Sequence, residues 1–101
     1  MLVYNITIKI NPDIEKEWLH WQHKEHIPDI MATGQFTEWK MFRLLEQDET
    51  EGITYVLQYF TVNEDNYECY LREHAPLLRK KAIQRWGDQF IAFRSVMELV
   101  K

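Results

Sequence analysis

With 101 residues, 46% of them hydrophobic and 28% charged, and with three Gly and three Pro, the chain has the make-up of one globular domain rather than of a disordered or fibrous protein. A net charge of −4, with no Lys or Arg concentrated on a strand or loop, argues against a nucleic-acid partner, and the lone Cys69 excludes an internal disulfide and a thiolate metal cage. No apolar run approaches the ~18–20 residues that span a bilayer and no basic n-region precedes an apolar h-region, so no membrane partner and a cytoplasmic location are expected.

Leu2 to Ile10 alternates Leu2, Tyr4, Ile6, Ile8 and Ile10 against Val3, Asn5, Thr7 and Lys9, which predicts a strand with one greasier face. Asn11-Pro12-Asp13 supplies an N-cap, a proline at the first helical position and the first of several early acids, so a helix is predicted from there to about Thr33, with Gly34 ending it. Phe36 to Glu46 is again extended. Gln47 to Gly52 is an acidic turn without the spacing of a calcium-binding loop, and Ile53 to Val62 alternates Tyr55, Leu57 and Tyr59 as a third strand. Asn63 caps a second helix running to Trp86, stopped by Gly87, and Gln89 to Val100 is a last strand. The basic cluster Arg79, Lys80, Lys81 and Arg85 falls late in that helix, where cations meet the negative end of the helix dipole.

Glu25-His26-Ile27-Pro28 recurs as Glu73-His74-Ala75-Pro76, and Asn11, Asp13, Trp18 and Leu19 recur as Asn63, Asp65, Tyr70 and Leu71. The first copy is longer by about one helical turn. Two βαβ halves, about 1–46 and 53–101, in the order β-α-β-β-α-β define one α+β domain of ferredoxin-like type: a four-stranded antiparallel sheet with two helices on one face. The other face carries too much apolar surface for water, which predicts an isologous homodimer with facing sheets. Asn5, Thr7, Gln58 and Arg94 interrupt these strands and are expected to meet in that interface.

Helical spacing places Tyr67, Leu71, His74 and Leu78 on one stripe and Leu19, His26, Ile27 and Ile30 on another, so the two histidines are expected to be equivalent, inward-facing and at least half buried. Pro28 and Pro76 predict a kink or break near Lys24 and Arg72. Each histidine then either packs inward and satisfies a carbonyl freed at the kink, or, for His26 above all, borders a pocket between helix and sheet as a general base or ligand anchor. Trp18, Trp21 and Trp86 either fill the core or line a pocket for a planar ligand. His20, His23 and His26 are too spread around the helix for a zinc pair, and no metal is expected. No nucleophile motif, phosphate loop or paired-carboxylate constellation supports a hydrolase, kinase or glycosidase.

On Val3-Tyr4-Asn5, Glu25-His26-Ile27-Pro28 through Ala32-Thr33-Gly34, Arg43-Leu44-Leu45-Glu46, Tyr55-Val56-Leu57-Gln58-Tyr59-Phe60, His74-Ala75-Pro76 and Gly87-Asp88-Gln89-Phe90-Ile91-Ala92-Phe93-Arg94, the chain resembles a family of short bacterial proteins grouped as a domain of unknown function. That family is similar to dimeric α+β-barrel proteins of the antibiotic-biosynthesis-monooxygenase type. The resemblance implies paired ferredoxin-like protomers with a small-molecule cavity between sheet and helices. Two readings follow. One is a homodimeric small-molecule-binding or interaction module, and the other a cofactor-independent monooxygenase-like enzyme acting on a small aromatic molecule. In the second, His26 is the candidate base and Trp18, Trp21 and Tyr59 are walls; His74 is a further candidate ligand contact.

Overall fold

The computed structural model describes residues 1–101 and has the predicted element order. Strands β1 (Leu2–Ile10), β2 (Glu38–Arg43), β3 (Ile53–Thr61) and β4 (Phe90–Glu98) form one antiparallel sheet in the order β2-β3-β1-β4. Helices α1 (Glu15–Trp21), α2 (Ile27–Met31), α3 (Glu64–Glu73) and α4 (Ala75–Trp86) cover one of its faces.

Period-two alternation decides which side chains lie beneath the helices. Tyr4, Ile6, Ile8 and Ile10 of β1 stand opposite Tyr59, Leu57, Tyr55 and Ile53 of β3, and all eight are buried. Being central, these two strands carry most of the core, and each fully buried large side chain contributes about 1.5–3 kcal/mol. Aromatic residues divide this layer into two ends. At one, Tyr4 lies 6.0 Å from Phe36 and 5.6 Å from Tyr70, measured between ring centroids. At the other, Trp18 packs 5.3 Å from Tyr55, and Trp21 meets Trp86 edge-on at 5.8 Å.

The caps form where the sequence places them. The Asn11 side chain accepts from the Asp13 N–H at 3.0 Å, and that of Asn63 accepts from the Asn66 N–H at 2.9 Å. Gly34 and Gly87 close the two helical arms with φ of +77° and +59°, a region in which a side chain is strained. Phe36, expected to begin β2, precedes that strand and is 4% exposed, so it plugs the core end rather than pairing in the sheet.

The uncovered sheet face is ordered in rows. Lys40, Gln58, Asn5 and Ser95 form a polar row across all four strands, with the Gln58 amide donating to Asn5 Oδ1 at 3.3 Å. Phe42, Val56, Thr7 and Phe93 flank it on one side, and Phe60, Val3 and Met97 on the other. Phe93 is 72% exposed and Phe42 49%. Arg94 departs from the interface group expected for it. It pairs with the inward-facing Ile6, and so projects from β4 toward the helices.

Candidate functional site

A proline inside a helix removes one N–H, and its ring meets the carbonyl four residues back. In the first arm the chain accommodates Pro28 by a π turn over Gln22–His26, in which the Ile27 N–H donates to the Gln22 carbonyl. The helix stays continuous, and the widened turn relieves the crowding at Lys24. In the second arm the same motif has a different outcome. At His74, φ −125° and ψ −41° leave the helical region, α3 ends, and Pro76 falls in the first turn of α4, where its missing N–H is harmless.

The two histidines are therefore not equivalent, contrary to the repeat. His74 is a hinge residue beside Tyr70, at 6.3 Å between ring centroids. His26 sits in the π turn and stacks on Trp21 at 4.5 Å and 18°. Along the predicted stripe Leu78 is buried and Tyr67 and Leu71 pack partly buried against the core, while Tyr70 of the same helix is fully buried.

Two cavities meet at the Trp21–His26 stack. The outer one is a solvent-facing cleft of about 600 Å³ between the π turn and α4, bordered by Lys24, Glu25, Asp29, Lys81 and Arg85. The inner one lies between helices and sheet, has room for about 30 Å³, and is walled by Ile6, Ile8, Trp18, Leu57, Phe90 and Trp86. That is roughly the space of one water molecule. Gln22 and Arg94 reach the inner pocket too.

Burial depresses the His26 imidazole to about 4; Asp29 opposes the shift, while the positive charges of Arg94 and Lys81 add to it. At neutral pH the ring is uncharged, with one nitrogen able to accept a hydrogen bond. The unfolded chain, with His26 at its ordinary 6.5, takes up a proton that the folded chain refuses between pH 6.5 and about 4. The His26 contribution to stability is therefore full above pH 6.5, falls as pH drops toward 4 and is lost below it. The loss is on the order of 2–3 kcal/mol. Urea unfolding at pH 7 and pH 4.5 should show this loss in the parent protein, and His26→Gln should remove most of the difference.

Two residues that border the inner pocket each carry a buried polar atom without a partner. Gln22 is 2% exposed with Oε1 unpaired, and Trp86 is 5% exposed with Nε1 unpaired. Arg94 enters no salt bridge. Of the residues singled out in the sequence, Trp18, Trp21, Trp86 and His26 are brought together. Tyr59 is fully buried at the opposite end, 5.4 Å from Phe36, and His74 and Tyr59 border neither cavity. Gln22 was not singled out from the sequence, although its place four residues after Trp18 on the buried stripe is the available signal.

A model of a domain of unknown function, DUF4286, matches residues 1–100. The chain belongs to the DUF4286 family. No curated protein matches its sequence. Among solved structures, this DUF4286 chain is similar to an ethyl tert-butyl ether d (ethd) family protein from Bacillus halodurans, at 14% identity, 99% coverage of this chain and 100% of that one, with a TM-score of 0.70. It is also similar to a dimeric ferredoxin-like protein from an uncultured marine organism, at 15% identity, 99% and 95% coverage and a TM-score of 0.65. SnoaB from Streptomyces nogalater, a cofactor-independent oxygenase, matches at 11% identity, 99% and 93% coverage and a TM-score of 0.60. At such identities the likeness establishes the ferredoxin-like fold of this DUF4286 member and nothing of its chemistry.

Proposed function

We propose that the protein is a cytoplasmic homodimer of single ferredoxin-like domains, each with two βαβ halves, that binds a small molecule where the cleft and pocket meet at His26. The observation that carries this reading is an uncharged imidazole, stacked on Trp21 and bordering both cavities. A merely structural histidine has no need of an approach from solvent. The test is a thermal-shift titration with small phenolic compounds, comparing the parent with His26→Gln. Loss of the ligand-induced shift at unchanged stability supports the site; a large stability loss with no ligand effect in either protein contradicts it.

The dimer is supported by the apolar rows around Phe42, Phe93 and Met97, large side chains left exposed together on one sheet face. A second copy is the fitting cover, because a two-fold axis through the polar row would set like rows against like. The dimeric description of one structural neighbour agrees with this.

A catalytic reading rests on position: His26 borders both cavities, although a ring depressed to about 4 is a weak base at neutral pH. Under it the protein is a cofactor-independent monooxygenase-like enzyme with His26 as base and Trp18 and Trp21 as walls. Oxygen consumption with a phenolic substrate, lost in His26→Gln, is its test.

A further inference from the structure

The outer cleft beside His26 suits a charged ligand better than an apolar one. Trp21 is the one apolar residue on its wall, and the cations Lys24, Lys81 and Arg85 outnumber the acids Glu25 and Asp29, in a chain whose net charge is −4. These cations are weakly engaged. Lys81 meets Asp29 and Arg85 meets Glu17, each at 4.0 Å, and Lys24 enters no salt bridge. Contacts of that length between exposed groups contribute little, so an incoming oxyanion can displace them at small cost.

His26 sits among opposed charges on the same cleft. Burial disfavours its protonated form most; Asp29, on α2, favours that form, and Arg94 on β4 and Lys81 on α4 disfavour it. Lys24 and Glu25 precede it on the π turn, and Arg85 borders the cleft from α4. Lys81 therefore acts twice. Its own charge disfavours a protonated ring, and its contact with Asp29 offsets the one nearby charge that favours it. An oxyanion that draws Lys81 away reverses both effects and adds a negative charge of its own.

We propose that the outer cleft takes the oxyanion of a small carboxylate or phosphate compound at Lys81, and that the Asp29 carboxylate so released makes His26 a stronger base while the ligand is in place. This rests on the binding reading given above. The test follows the His26 ring signals by NMR at about pH 5, with sodium benzoate or sodium sulfate titrated against sodium chloride at equal ionic strength. Starting from about 4, a rise of about one pH unit takes the protonated fraction there from about a tenth to about a half. The effect should saturate, with benzoate if the ligand is a carboxylate and with sulfate if it is phosphate-like. Lys81→Gln, a change at an exposed position, should raise the protonated fraction without any anion and lose most of the response. Asp29→Asn should lower that fraction and weaken the response. A response as large in Lys81→Gln as in the parent, or none beyond that to chloride, overturns the proposal; phenol that still moves the Trp21 and His26 signals then leaves the binding site standing. Anions and phenol that all leave His26 and Trp21 unmoved overturn both.

Discussion

Trp18→Ala is expected to lower the free energy of unfolding by about 3–5 kcal/mol, the range for deleting a buried aromatic side chain. Trp18 is 1% exposed, packs on Tyr55 and borders the inner pocket. Its removal would merge a large new void with an existing one, and the central strands β1 and β3 cannot collapse to fill it. For a domain of this size, with a total of about 5–15 kcal/mol, the variant should be close to the limit of folding. Urea unfolding followed by far-UV circular dichroism measures the effect; a cost below about 1 kcal/mol would mean that this end of the core is far looser than described.

Phe93→Asp has its large effect elsewhere. Phe93 is 72% exposed in the protomer, so its replacement should alter the stability of the fold by no more than about 0.5 kcal/mol. Between two facing sheets the same change would bury an unpaired carboxylate beside Phe42, Val56 and Thr7, the members of its row. By symmetry that happens twice in each dimer. The dimer dissociation constant is expected to rise at least about 100-fold. Sedimentation velocity at micromolar concentration should show the parent as a dimer and the variant as a folded monomer. A parent protein that sediments as a monomer would contradict the pairing outright.

Much of the architecture is local information. Alternation in Leu2–Ile10 and Ile53–Thr61, asparagine caps at Asn11 and Asn63, and glycines at Gly34 and Gly87 each act within a few residues, so the sequence expresses them directly. What escaped depends on choices between nearly equal local solutions. Glu-His-x-Pro occurs twice, and nothing within the motif dictates that Pro28 is relieved by a π turn while Pro76 breaks its helix. That choice gives His26 its pocket and leaves His74 at a hinge. Arg94 was misplaced for a related reason. On the edge strand β4, which is exposed along most of its length, burial no longer marks which side chains face inward. Gln22 was missed because a polar residue on an apolar helical stripe is conspicuous only once its neighbours across the sheet are known.

The central proposal is a binding site at the Trp21–His26 junction. The most direct measurement is a ¹H–¹⁵N NMR titration of the uniformly labelled protein with small phenolic compounds at pH 7, observing backbone, indole and imidazole signals together. The predicted result is saturable movement concentrated at Trp21, Gln22, His26 and Trp86, with the uncovered face around Asn5, Gln58 and Phe93 unaffected. No movement at His26 and Trp21, or movement confined to the uncovered face, would contradict it.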